Sequence, residues 1–135
     1  MAEQPITSSK VCTLACEVDG VRRVDLVAMQ YPLMLVGSAR ITDVDTDAPL
    51  LGDVYVHPDL RRLGIGTLLV RAAKAWADQH GKGLCLHVRP DNPALQLYLD
   101  EGFEDWYGQK TDEGSLWLIK CAFEGKLLRE GVNDD

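Results

Sequence analysis

"VHPDLRRLGIGTLL", Val56 to Leu69, joins two runs of different period. Before it, "LLGDVYV" (50–56) is a short apolar run of strand length, with Asp53 and Tyr55 alternating with Val54 and Val56. After it, Leu68, Leu69, Ala72, Ala73 and Trp76 recur at helical spacing with no internal Pro or Gly. Gly81 stands where a left-handed residue ends such a helix. The stretch is therefore a strand-to-helix loop of form R-x-x-G-x-G. It is not a dinucleotide fingerprint, because Leu69 stands where the third glycine belongs, and no Gly-Lys-Ser/Thr follows to make a P-loop. Glycines here let successive backbone N–H groups converge on one anion. The helix beyond adds its first-turn N–H groups and the positive end of its dipole. On the loop alone, a phosphate cradle and a plain solvated turn with two arginines, Arg61 and Arg62, remain equally open.

Working outward, "VCTLACEV" and "VRRVDLVAM" flank Asp19-Gly20, an Asp-Gly pair that signals a hairpin. The second run also admits a helix, since Val21, Val24 and Ala28 fall near one face. Tyr31-Pro32 breaks the pattern, "LMLVGSARI" reads as a third strand, and the acidic "TDVDTDAP" turns into the fourth. Downstream of the loop and helix, "LCLHV" reads as a buried strand. "DNPALQLYLDEG" reads as a second helix with Asp91 or Asn92 as N-cap, Pro93 in the first turn and Gly102 at its end. "FEDWYGQK" and "SLWLIKCAF" close the chain as two strands. The expected fold is α/β (α+β): a mixed, mostly antiparallel sheet with a central parallel strand–helix–strand crossover and helices packed on it. At 135 residues the chain is expected to form one domain, 1–135, with loose ends at about 1–10 and 127–135.

Three blocks, "YVHPDLRRLGIGTLLVRAA", "LHVRPDN" and "ALQLYLDEGF", together resemble the GNAT superfamily of acetyl-CoA-dependent N-acetyltransferases. The family pattern runs V-x-P-x-x-R/Q-x-x-G-x-G-x-x-L-L, an apolar strand, an Asn, then A-x-x-x-Y-x-x-x-G-F. The resemblance covers Leu51 to Phe103, more than a third of the chain. It implies acetyl-CoA as cosubstrate and direct acetyl transfer to an amine. It also implies that the main chain of Arg61, Arg62, Leu63, Gly64, Ile65, Gly66 and Thr67 cradles the pyrophosphate, while Val54 and Val56 pair with the pantetheine arm. Asn92 would sit beside that arm and Tyr98 near the thioester sulfur, although at its helical spacing with Ala94 and Leu95 the phenol can equally be core. One departure is that Ala94 follows Asn92 by two residues and Asp91 by three, so either the loop is a residue shorter or Asp91 takes the Asn position.

A lysine-like amine has an unperturbed pKa of about 10.4, so a base or water chain must take its proton before it attacks a thioester. Asp53 is the first candidate base and His57 the second; Tyr98 is the candidate acid for the leaving thiolate, and a backbone N–H near Val56 the candidate oxyanion donor. Cys85 and Cys121 lack a His–Asp partner in the pattern, which argues against an acyl-cysteine route. Family members carry a helical segment between the first two strands that walls the acceptor; a hairpin replaces it here, giving a shortened N-terminal half and an open acceptor side. A protein lysine or N-terminus, or a small cationic amine, fits that opening, and Asp43, Asp45 and Asp47 offer it negative charge.

Composition bounds the rest. With 14 Lys plus Arg against 21 Asp plus Glu and a formal charge of −7, no basic stripe favours nucleic acid. Cys12, Cys16, Cys85 and Cys121 form no C-x-x-C pair, and His57, His80 and His87 are not at ligand spacing, so no metal is expected and the thiols read as reduced and partly buried. "MAEQPITSSK" lacks an apolar signal core and no apolar run spans a bilayer, so a cytoplasmic protein without membrane contact is expected, with a homodimer open. Two other classes stay in view: a non-catalytic acyl-CoA-binding regulatory module, and a compact interaction or inhibitor protein on the same scaffold.

Overall fold

The ambiguous second run is a strand, because its burial repeats every two residues: Val24, Leu26, Ala28 and Gln30 are buried and the residues between them half-buried. The helical reading places only Val21, Val24 and Ala28 on a common face and leaves Leu26 off it. The computed structural model describes residues 11–18, 23–30, 34–61 and 63–120. The Asp19-Gly20 turn, the Tyr31-Pro32 break, Arg62, Cys121 and the two expected loose ends lie outside the described residues.

Seven strands, β1 (Val11–Val18), β2 (Arg23–Gln30), β3 (Met34–Thr42), β4 (Leu50–Val56), β5 (Leu84–Val88), β6 (Glu104–Lys110) and β7 (Leu116–Lys120), form one sheet. Its order is β1-β2-β3-β4-β5-β7-β6. Every pair is antiparallel except β4 with β5, which the helix α1 (Ile65–Gln79) connects as a crossover. The second helix, α2 (Ala94–Asp100), follows β5.

α1 buries Ile65, Leu69, Val70, Ala73, Trp76 and Ala77, one stripe laid across β1 to β4. It ends as its glycine foretells: Gly81 has φ 68°, the Lys82 N–H donates to Ala77 O at 2.8 Å and the Gly81 N–H to Asp78 O at 3.2 Å, which is a Schellman closure. Gly37 on β3 makes the fit possible. A Cβ there would lie 2.8 Å from Tyr55 O, 3.1 Å from Ile65 Cγ2 and 3.2 Å from Leu69 Cδ1, so only hydrogen leaves room for helix, β3 and β4 together. At the other end, Trp76 Nε1 donates to Glu17 Oε2 at 3.4 Å, fastening α1 to β1.

The helix-facing side of the sheet carries the core, from Val24, Leu26, Val36, Ile41 and Leu51 to Leu84, Leu86, Val88 and Leu118. The other side, among the described residues, has no helix over it. Register places Cys12, Leu14 and Cys16 of β1 there beside Met29, Val27 and Asp25 of β2, and Ser38 beside Tyr55 further across. Cys12 and Cys16 are accordingly exposed rather than partly buried, because they face away from α1 on an edge strand; Cys85 is buried.

Candidate functional site

β4 and β5 share a single register pair, Leu50 with Cys85, and then separate. On its other side β4 carries a bulge against β3: Ser38 pairs with Tyr55 and Arg40 with Gly52, leaving one extra residue, Asp53, at φ 53°. Beyond the bulge the backbone alternates regularly. The His57 N–H donates to Val36 O at 3.0 Å and Tyr55 O lies against Gly37, so these groups face β3. The N–H and C=O groups of Val54 and Val56 therefore face the opening toward β5, while both side chains pack partly buried against the core. Arg61 reaches across its mouth: Nε donates to Val56 O at 3.1 Å.

The loop after β4 is held by its first residues. His57 caps a 3₁₀ turn, Pro58–Leu60, by accepting the Asp59 N–H on Nδ1 at 3.2 Å, and Leu60 is buried as an anchor. Gly64, at φ 86° and ψ 5°, is the N-cap of α1, and no side chain caps the helix. A helix of 15 residues thus opens its first-turn N–H groups beside the β4–β5 opening without an internal partner from a side chain. Leu63 is exposed and Ile65 fully buried, so the loop is pinned at Leu60 and Ile65 with Arg61, Leu63 and Gly64 outward. Gly66 and Thr67 are half-buried; a Cβ on Gly66 would meet α2 at Leu97 (3.7 Å) and β4 at Val56 (3.9 Å) in ordinary contact.

α2 forms the opposite wall. Pro93 already has helical angles (φ −57°, ψ −24°), and Asn92 Oδ1 accepts the Ala94 N–H at 2.8 Å, so Asn92 acts as the physical cap. Asp91 points elsewhere, to Arg89 Nε at 3.4 Å. Tyr98 is buried, its ring edge-to-face with Phe103 at 6.0 Å between centroids, and burial pushes its phenol pKa above the ordinary value. Tyr98 is thus packed in the core cluster on the same helix wall that borders the opening. α2 is fastened to α1 at Glu101. Arg71 Nε and Nη2 donate to its two carboxylate oxygens at 3.2 and 3.1 Å, and Lys74 Nζ donates to Glu101 O at 2.7 Å and Oε1 at 3.1 Å. The Arg71 hydrogen bond, opposed by burial and aided by Lys74, holds the Glu101 carboxyl below its usual range.

The two candidate bases differ in commitment. Asp53 is on the uncovered face, three-quarters exposed, with Oδ2 3.5 Å from Arg40 Nη1. His57 uses Nδ1 as an acceptor within its own turn, which leaves its other ring nitrogen as the N–H of the neutral form. Cys85 donates its Sγ–H to Ala48 O at 3.2 Å, and burial first, then Asp43, raise its pKa, so it is a neutral thiol and not an activated nucleophile. Among the described residues no group of three or more His, Cys, Asp or Glu converges as for a metal, and no helix is long and apolar enough to cross a membrane.

One feature beside the opening escaped the sequence reading. A recess of about 310 Å³ is lined by Cys85, Trp106, Gln109 and Trp117. β6 builds it by departing from its pairing: Asp105 pairs with Leu118 and Lys110 with Leu116, so the residues between them form a loop inside the strand. Tyr107 (φ 54°) and Gly108 (φ 70°) turn it, and Asp105 Oδ2 accepts the Gly108 N–H at 2.9 Å. Gly108 in the middle of an aromatic strand run was the available signal.

Comparison with known proteins agrees with this geometry. The family model of the acetyltransferase (GNAT) domain matches residues 27–105, more than half of the chain. A putative acyl-CoA N-acyltransferase of Klebsiella pneumoniae superposes with a TM-score of 0.67 at 21% identity, over 79% of this chain and 77% of that one. The PaiA N-acetyltransferase of Thermoplasma acidophilum, solved in complex with coenzyme A, superposes with a TM-score of 0.64 at 20% identity over 74% and 61%. A mycothiol acetyltransferase of Mycolicibacterium gilvum is 46% identical over 39 residues, 29% of this chain. The chain spans 10% and 13% of the length of the curated relatives it matches. With the profile covering the divergent β4–β5 pair, the uncapped α1 terminus and α2 in one continuous match, the chain belongs to the GNAT acetyltransferase family.

Proposed function

We propose that the protein is an N-acetyltransferase that moves an acetyl group from acetyl-CoA directly to a primary amine. The observation that carries this reading is the β4–β5 opening, whose β4 edge past Leu50 has no register partner on β5 and ends at a helix terminus that no side chain caps. That terminus and the loop from Arg61 to Thr67 suit a pyrophosphate, because backbone N–H groups and a helix dipole bind an anion without a basic surface. This reconciles an anionic cosubstrate with a chain of net charge −7. Val54 and Val56 would pair their main chain with the pantetheine arm, and Asn92 would flank it while holding α2.

In the reaction the amine nitrogen forms the bond to the thioester carbon and the C–S bond breaks. Asp53 is the proposed acceptor of the amine proton, by way of water, and Tyr98 the proposed donor to the thiolate. Burial raises the phenol pKa, so Tyr98 carries its proton at neutral pH and the thiolate would draw it only as the C–S bond breaks. The acceptor class is a protein lysine or N-terminus, or a small amine, entering from the uncovered face; a dimer that completes this side is compatible with it.

Melting with acetyl-CoA tests the reading. A ligand at 100 times its Kd stabilises by about 2.7 kcal/mol, and an unmoved melting curve at millimolar acetyl-CoA would overturn the cosubstrate assignment. Thiol release over a panel of amines and peptides then separates an enzyme from a module that only binds the cosubstrate.

A further inference from the structure

We propose that the recess between Trp106, Trp117, Gln109 and Cys85 is an acceptor subsite that takes a flat aromatic group carried on the reacting amine, as in an arylalkylamine or a peptide whose first residue is aromatic. This rests on the acyl-transfer reading above and names the substrate class of that site.

Position is the first argument. Cys85, one wall of the recess, is the residue at which β5 meets Leu50 of β4 before the two strands part. Trp117, another wall, pairs in register with His87, the next β5 residue on the uncovered face, and the two rings meet edge to face at 5.1 Å. A group seated in the recess therefore lies beside the opening, on the side from which an acceptor enters.

Chemistry is the second. None of the four lining side chains carries a formal charge, since the Cys85 thiol is engaged with Ala48 O and stays protonated. Two indoles give flat, polarisable walls suited to an offset or edge-to-face partner, and the Gln109 amide gives one hydrogen-bonding group at the rim. Such a lining discriminates against a polyamine, whose second ammonium would have no carboxylate among the walls. The volume, about 310 Å³, sits at the lower end of small-molecule sites and suits a single ring system.

Construction is the third. The walls Trp106 and Gln109 are present because β6 leaves its ladder through two consecutive left-handed residues, one of them Tyr107, a non-glycine residue in an uncommon conformation.

Acceptor kinetics with acetyl-CoA test the proposal, using 2-phenylethylamine, n-butylamine and spermidine, alongside calorimetric binding of 2-phenylethylamine to the parent protein. We expect a KM for phenylethylamine about tenfold or more below those of the other two. Trp106→Ala should erase that preference while the melting shift with acetyl-CoA stays as in the parent, and Trp106→Phe should restore most of it. Equal KM values for the aryl and alkyl amines, or a preference that survives Trp106→Ala, would overturn the subsite. If acetyl-CoA gives no melting shift, the acyl-transfer reading fails by itself; the calorimetry then decides the recess alone, and phenylethylamine binding that is absent, or unchanged by Trp106→Ala, refutes it.

Discussion

Replacing Gly37 by alanine adds one methyl at the point where β3, β4 and α1 are closest. The added Cβ would stand 2.8 Å from Tyr55 O, a backbone atom that cannot rotate away, with Ile65 Cγ2 at 3.1 Å and Leu69 Cδ1 at 3.2 Å behind it. Overpacking of this kind costs about 1–3 kcal/mol. Against it stands the gain from a less flexible unfolded chain, about 0.4–1 kcal/mol for Gly to Ala where the backbone permits it. The expected balance is a loss of roughly 1–2 kcal/mol, which for a chain of this size lowers Tm by about 4–8 °C. Gly52, on the next strand, is the internal control: nothing lies within 4 Å of its Cβ position, so Gly52→Ala should be neutral or raise stability by up to about 1 kcal/mol. Denaturant melts of the two variants beside the parent make the comparison. Gly37→Ala should also weaken acetyl-CoA, because relief of the clash moves β4 at Tyr55 or the first turns of α1, both of which frame the opening. A Gly37→Ala protein as stable as the Gly52→Ala protein would refute the account of how the three elements meet.

Tyr98→Phe keeps the ring against Phe103, so its stability should stay within about 0.5 kcal/mol of the parent while turnover falls about 100-fold, the weight of a general acid; unchanged turnover would remove Tyr98 from the chemistry. Glu101→Gln should cost about 1 kcal/mol at pH 7 after allowance for solvent screening of the pair. Because the folded pKa of Glu101 is lowered, its contribution is present above the ordinary 4.5 and is lost as pH falls through the folded value. The melting gap between parent and variant should thus close in acid, and a gap that widens there would contradict the assignment. Gly64→Ala forces a side chain into the left-handed region at the α1 N-cap, with an expected cost of about 1–2 kcal/mol and a higher KM for acetyl-CoA. Arg61→Ala frees Val56 O and should raise that KM several-fold with little change in Tm, as isothermal titration with CoA can check.

Elements whose period repeats over many residues were legible from the chain alone. α1 announces itself through Leu69, Ala73 and Trp76 and ends at Gly81 as a glycine after a helix should. The β4 strand, its loop and the α2 start at Pro93 were equally plain, since each depends on chemistry within a few residues. Features that depend on register between distant strands were not. The Asp53 bulge exists only because Ser38 and Arg40 pair with Tyr55 and Gly52, and nothing local distinguishes Asp53 from any acidic strand residue. Trp106 and Trp117 likewise come to line one recess through strand pairing and a mid-strand turn, so it could not be read from spacing. The choice between Asp91 and Asn92 was a matter of one hydrogen bond, to the Ala94 N–H, which the two residue types form almost equally well.

The bulge at Asp53 also sets the parity of the strand that borders the opening. Leu51 faces the helices and Gly52 the uncovered side; one supernumerary residue later, Val54 and Val56 again face the helices and Tyr55 the uncovered side. Asp53 thus works as a spacer as well as a side chain. Its identity can change without disturbing that order, and because it stands outside the alternation its removal would still leave Val54 and Val56 toward the helices; a regular pleat that counted Asp53 in would instead turn Tyr55 into the core and both valines out of it. The bulge thus lets β4 carry a carboxylate beside Arg40 on the uncovered face without taking one of the positions that face the helices.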